Sequence, residues 1–206
     1  GHRKAILQAE KYIYIEDQYF RAPVLNNAIV QRMEEVDDLL LIVVTNVVGE
    51  WDGGLKYTYL TNEFFQSRFP DRYLVLQMRS SDIVIDEGWV WDDVFVHDIP
   101  VFNHSKLRII DDTYLSIGTA NYNNRSYLYD SELNLNVLDT DVATTQRRDI
   151  FENLVGPNYA SYLSDDARNN FDVLKLAAEY NRDLMDWWKT YEEDLSAEDA
   201  EETWAA

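Results

Sequence analysis

Apolar positions change period several times along the chain, and each change marks an element. In "KYIYIEDQYF" (Lys11 to Phe20), aromatic and aliphatic residues alternate along a stretch of strand length. From Val24 to Val36 the spacing lengthens, with Leu25, Ile29, Met33 and Val36 on one stripe, which predicts a helix. "LLLIVV" (Leu39 to Val44) has no polar face at all. A continuous run of that length suits a strand covered on both sides, as in an α/β sheet. Paired glycines at 53 and 54 predict a loop, Leu55 to Phe69 a second helix stopped by Pro70, and Tyr73 to Met78 a third strand.

The order β-α-β-α-β predicts helices packed on a mainly parallel sheet. Beyond it, Val101 to Ile110, Thr113 to Ile117 and Glu132 to Leu138 read as strands with no long helix between them. The expected fold is therefore α/β, a mixed, mainly parallel sheet flanked by helices. Thr144 to Leu154 and the long segment Asp165 to Glu193 read as helices, and "SAEDAEETWAA" as a solvated acidic end. The expected organisation is a lobe over residues 1–156 and a helical extension with an acidic tail over 157–206. Gly1-His2 reads as a cleavage scar or added segment rather than a natural start.

Composition narrows the chemistry. Cysteine is absent, which excludes disulfides and thiolate metal sites. No apolar run reaches the roughly 18 residues a membrane helix needs. The net charge is −20, from 18 Lys and Arg against 38 acids. Nucleic-acid affinity rests largely on neutralising phosphates, so no nucleic-acid partner is expected.

One segment stands apart: "HSKLRIIDDTYLSIGTANYNNRS", His104 to Ser126. Read as a strand from His104, alternation puts His104, Lys106 and Arg108 on one face and Ser105, Leu107 and Ile109 on the other, the expected core face. An imidazole and an ammonium then lie about 7 Å apart. Imidazole titrates near neutrality, and an ammonium stabilises phosphoryl oxygens. Asp111-Asp112-Thr113 reads as a turn. Gly118-Thr119-Ala120-Asn121 follows the next strand, and the Asn121 amide can donate to an oxyanion. In "DSELNLNVL", Glu132, Asn134 and Asn136 share a polar face, from which Glu132 can orient the His104 ring.

On these residues the sequence resembles the phospholipase D superfamily. His104, Lys106 and Asp111 fit its His-Lys-Asp (HKD) motif, Gly118 to Ser126 fit the extension G-S/T-A-N-x-N-x-R-S, and Asp130-Ser131-Glu132 fit the carboxylate segment beyond. "YIYIEDQYF" is similar to the opening of the second lobe in two-lobed members, and "RRDIFENLVG" to the helix after its motif. The resemblance covers roughly residues 4 to 156. It implies a phosphodiesterase that needs no metal or other cofactor. One His forms a phosphohistidine, and the other protonates the leaving alcohol and then activates water. His104, Lys106, Asp111, Asn121 and Glu132 are its expected catalytic residues. Gln18, Asn123 and Ser126 are its expected substrate-binding residues.

Such a site needs two motifs, and this chain has one. In His2-Arg3-Lys4 the position that should be Asp is Ala9, and His97 is followed by Asp98-Ile99. The leading expectation is the C-terminal lobe of a two-lobed phospholipase D acting on phospholipid, its N-terminal HKD lobe being a separate or cleaved chain. In that case His104 would be the general acid and base. The alternatives are a homodimeric one-motif phosphodiesterase or nuclease, and a non-catalytic binding lobe. Trp51, Trp89 and Trp91 read as local packing, with peripheral membrane contact as their functional reading. The compartment stays open, a secreted or membrane-peripheral setting being the expectation.

Overall fold

A computed structural model of the chain describes residues 1–46, 55–87 and 92–191. The glycine loop, the three early tryptophans and the acidic tail lie outside the described residues.

The chain divides into two compact units. One comprises residues 1–78 and 102–149, the other residues 79–101 and 150–206. In the first, α1 (His2–Ile6) leads into β1 (Tyr12–Asp17), α2 (Pro23–Glu35), β2 (Leu40–Val44), α3 (Leu55–Arg68) and β3 (Tyr73–Leu76). After the second unit's hairpin, β4 (Arg79–Glu87) and β5 (Asp92–Pro100), come β6 (Lys106–Ile110), β7 (Tyr114–Gly118), α4 (Asn124–Leu128) and β8 (Asn134–Val137). Helix α5 (Thr140–Tyr159), interrupted at Gly156, and α6 (Ala167–Thr190) complete the described chain.

Six strands of the first unit form one mixed sheet in the order β3-β2-β1-β6-β7-β8. β1, β2 and β3 are parallel, and β6, β7 and β8 continue the sheet as an antiparallel meander. The α/β class and the mixed sheet expected from the pattern are thus present. Every residue of β2 is buried, as a run without a polar face requires. One sheet face carries Ile13, Ile15, Leu41, Val43, Tyr73, Ile110 and Tyr114. These pack in one core with Ile6 of α1, Leu25, Ile29 and Met33 of α2, and Phe65 and Phe69.

The pattern missed the β4–β5 hairpin, which pairs over Arg79 to Pro100. Its polar composition, "RSSD" against "VHDIP", hides the alternation. Within the second unit Ile83 of β4 packs with Met185 and Trp188 of α6. Asp98 accepts hydrogen bonds from Arg79 at 2.7 and 2.8 Å and from Lys189 at 2.5 Å. The Arg79 bonds, first among several donors, hold its carboxyl well below the usual range.

The strand expected over 101–110 begins only at Lys106, so His104 precedes it. The three-residue connection to β7 places Asp111 and Asp112 at φ 53° and 55°. Aspartate is among the few non-glycine residues that enter this left-handed region readily. At the other end of β7, Gly118 meets β8 closely. A Cβ there would run into the backbone of Leu133 and Asn134, 2.7 Å from the Asn134 Cα.

Gly118→Ala is therefore expected to force β7 and β8 apart, at a cost of about 1–3 kcal/mol. Thermal unfolding measures this. A variant with an unchanged midpoint would mean that the contact relaxes freely.

Candidate active site

His104, Lys106, Asn121 and Glu132 lie where β1 and β7 end and where β6 and β8 begin. Beneath them lies an ion pair. Asp17, the last residue of β1, is fully buried and binds the Arg108 guanidinium of the adjacent β6 at 3.1 Å. The same guanidinium nitrogen donates to the Ala120 carbonyl at 3.2 Å. The carboxylate also accepts the backbone N–H groups of Tyr19 and Tyr122, at 3.1 and 2.9 Å. Two elements are thus pinned to one carboxylate: the chain leaving β1 and the turn carrying Asn121. Burial pushes Asp17 up to about 6, against the opposing charge of Arg108. The Arg108 guanidinium lies 5.5 and 5.9 Å from the ring centres of Tyr122 and Tyr127.

Lys106 is likewise buried, and its Nζ donates to the carbonyl of His104 at 2.6 Å. Burial lowers its pKa, while the charges of Asp17 and Glu132 oppose that shift. His104 itself is exposed, its ring stacked on Phe102 with centres 6.1 Å apart. A backbone staple holds this segment. Asn46 donates to the carbonyls of Gln18 and Asn103 and accepts from the Asn103 N–H. Asn103 in turn donates to Val44 and accepts the Ser105 N–H.

Several expected placements need correction. His104, Lys106 and Arg108 do not form one outward face. Lys106 and Arg108 point to the interior side with Ile110, because both sheet faces are covered and alternation there does not separate water from core. Glu132 does not bond the His104 ring. It lies before β8, accepts from the Thr119 hydroxyl at 2.5 Å, and is lowered in pKa by that bond first and by Ser126 and Lys106 further. Asp111 does not join the cluster. It sits at the far end of β6, roughly 16 Å from Lys106 by the strand rise, and accepts the N–H groups of Glu10, Lys11 and Tyr12 at 2.6–2.8 Å. Its neighbour Asp112 binds Arg147 at 2.9 Å.

The remaining expected residues surround the cluster. Asn123 caps α4, its side-chain oxygen accepting the Ser126 N–H at 2.9 Å. Ser126 is buried beside Glu132. Gln18 donates to the Tyr19 hydroxyl at 2.9 Å. Asn121 lies at the surface of the cluster with a buried, unbonded side-chain oxygen. The sequence pattern gives no sign of Asp17, Asn46 or Asn103, and names Arg108 only as a face-mate of His104 and Lys106. Only an acid closing a buried apolar strand could have pointed to Asp17.

His2 is no loose appendage. It is buried, its two ring nitrogens hydrogen-bonded with the Tyr127 hydroxyl at 2.7 Å and the Ser116 hydroxyl at 2.8 Å. Burial, and then the charge of Arg108, lower it from 6.5 to about 3. Among the described residues, no three His, Asp or Glu side chains gather as a metal site.

The profile of the family described as "Cardiolipin synthase, PLD-like domain" matches residues 3–155. The chain belongs to this phospholipase D-like family. Members of the superfamily are phosphodiesterases and phosphotransferases. No curated protein sequence matches the chain. Similar solved structures include NucT from Helicobacter pylori, 15% identical, covering 70% of this chain and 79% of that one, TM-score 0.48. Nuc from Salmonella typhimurium, a phospholipase D family member, is 17% identical over 71% of this chain and 80% of its own, TM-score 0.47. Phosphatidylserine synthase from Haemophilus influenzae is 17% identical over 90% of this chain and 42% of its own, TM-score 0.48.

Asp17→Asn is expected to leave the Arg108 charge buried and uncompensated, destabilising this phospholipase D-like chain by about 3–5 kcal/mol. Denaturant unfolding reads the loss, and a change below about 1 kcal/mol would show the pair to be energetically idle. His2 generates a pH dependence of known sign. Its folded pKa is depressed, so the unfolded chain binds more protons between 6.5 and about 3. Stability should fall on acidification through that window, and His2→Gln should flatten the fall. Parallel melting curves for the two proteins would disprove it.

Proposed function

We propose that this chain is one half-site of a phospholipase D-type phosphodiesterase, hydrolysing or transferring phosphatidyl groups with a second HKD lobe. The observation that carries the reading is a buried ammonium, that of Lys106, bonded to the backbone carbonyl of His104, whose imidazole is exposed. Lys106 is fixed by the His104 carbonyl and set over Asp17. A fixed cation in a partly desolvated setting offers stabilisation to phosphoryl oxygens, and Asn121 adds an amide donor. Asp111 is assigned to the fold rather than to the chemistry, and Glu132 to the Thr119–Ser126 side of the cluster.

In this reading the partner lobe's histidine attacks phosphorus, forming a P–N bond as the P–O bond to the leaving alcohol breaks. His104, as imidazolium, gives that oxygen its proton. Neutral His104 then takes a proton from water, whose oxygen attacks phosphorus. The P–N bond breaks, and a phosphate monoester leaves. An alcohol in place of water gives transfer. No metal enters any step.

Support for a second lobe comes from the sheet edge beside the cluster. Ile117, Leu133 and Leu135 at the β7–β8 edge and Leu138 just beyond it are exposed, from 50% for Ile117 to 82% for Leu138. An apolar strip of that kind on a sheet edge marks an interaction surface. It suits a separate N-terminal lobe or a second copy of this chain equally.

The purified chain alone, verified as a monomer, is expected to be inactive on phosphodiesters and to gain activity with a second motif-bearing lobe. In the assembled enzyme, His104→Asn should abolish turnover and Lys106→Ala should lower it on the order of 10²–10³-fold. Full activity in the monomer would refute the half-site reading. Near-normal turnover in either variant would refute the residue assignment.

A further inference from the structure

Asp17 and Lys106 are register partners. In the antiparallel pairing of β1 with β6, the Cα of Asp17 stands opposite that of Lys106, and Ile15 stands opposite Arg108. Residues directly opposite share a face, their Cβ atoms about 4.5–5.5 Å apart, and the diagonal neighbour two positions on lies about 7–8 Å away. The Asp17 carboxylate therefore has two buried cations in reach, the ammonium across the strand and the guanidinium on the diagonal.

The cation directly opposite goes unpaired. Asp17 gives one oxygen to Arg108 at 3.1 Å and the other to the N–H groups of Tyr19 and Tyr122. Lys106 instead donates to the carbonyl of His104 at 2.6 Å. Among the described residues no ion pair joins it to Asp17 or to Glu132, although it is buried. Glu132, whose charge also acts on Lys106, is occupied by the Thr119 hydroxyl at 2.5 Å. An ammonium has three donors, so two remain for a ligand.

As a stabilising device Arg108 is poorly satisfied. Its Nε and Nη1 are buried without a hydrogen-bond partner among the described residues, and Nη2 alone serves both Asp17 and the Ala120 carbonyl. Unpaired buried donors are costly, and a buried ion pair is by itself weak evidence for a gain in stability. The effect of Arg108 on its neighbour is of another kind.

We propose that Arg108 is a positioning residue for Lys106: it claims the Asp17 carboxylate and so leaves the opposite ammonium free for a phosphoryl oxygen. The proposal rests on the phosphodiesterase reading and adds a residue to that site. Without Arg108 the carboxylate turns to the one cation left in reach. Lys106 is then neutralised by its own cross-strand neighbour, and a phosphodiester has to displace that carboxylate to bind. Repulsion between Asp17 and the phosphate adds to the loss.

The first readout is geometric and needs no turnover. In the structure of the full chain carrying Arg108→Met, the Lys106 ammonium should have left the His104 carbonyl and lie within ion-pair distance of Asp17. Arg108→Gln, which keeps a neutral donor, is a second single variant should methionine not be tolerated. The second readout is turnover in the assembled enzyme, below the unfolding midpoint of every variant. Either single variant should lower kcat/KM toward the loss expected for Lys106→Ala, on the order of 10²–10³-fold. Adding Asp17→Asn should recover about tenfold or more, since replacing both members of a buried pair is tolerated far better than removing one. The asparagine keeps the oxygen that accepts both N–H groups and carries no charge to capture Lys106. Lys106 still bonded to the His104 carbonyl in the single variants, or a double variant no faster than the singles, would overturn the proposal. An assembled wild-type enzyme without phosphodiesterase activity would sink the phosphodiesterase reading and leave the structural result standing.

Discussion

Asp17 meets Arg108 at 3.1 Å in the interior of the first unit, and the geometry around the motif hangs on that pair. A carboxylate with no exposed surface is tolerated only when its charge and lone pairs are satisfied. Here three donors converge on Asp17, the Arg108 guanidinium and the N–H groups of Tyr19 and Tyr122, and the same Arg108 nitrogen donates to the Ala120 carbonyl. The pair thereby ties the end of β1, the body of β6 and the turn after β7 into one unit. Lys106 sits above it within reach of its field. Removing either partner would leave the other buried and unpaired, so the two are required together.

The sheet topology accounts for where this happens. Parallel strands β1, β2 and β3 all end on one side, and β6 begins there because it runs against β1. Open α/β sheets bind ligands at the carboxyl ends of their strands, where the connections diverge. The Asn46–Asn103 staple closes the gap between the ends of β2 and β1 and the segment carrying His104. His104 therefore owes its position to backbone held from below rather than to strand pairing of its own.

The two ends of β6 divide the motif's labour. Lys106 stands at the cluster end, whereas Asp111 stands at the opposite end and organises the start of β1 through three backbone N–H groups. The compactness of the motif in sequence conceals that separation, since the length of β6 puts Lys106 and Asp111 at opposite ends of one strand. The acidic turn is further secured by Asp112, which accepts from Tyr12 at 2.6 Å and pairs with Arg147.

Local pattern was enough for the βαβαβ half. β1 and β2 are buried on both faces, so they read as apolar runs, and α2 carries one clear stripe. Membership of the phospholipase D-like family is also legible, in the ordered run of His104, Lys106, Gly118 to Asn121 and Glu132. What the sequence could not reveal were relations across the sheet. Alternation placed Arg108 beside His104 on an outward face, yet Arg108 faces Asp17 inside, because period-two reasoning says which residues share a face and not whether that face is covered. The same alternation directs Glu132 to His104, whereas in the fold it meets Thr119. The β4–β5 hairpin was missed because its solvent-rich faces blur the apolar signal. The burial of His2 and the pairing of Asp17 with Arg108 depend on residues 125 and 91 positions apart, a separation that only the folded chain brings within hydrogen-bonding distance.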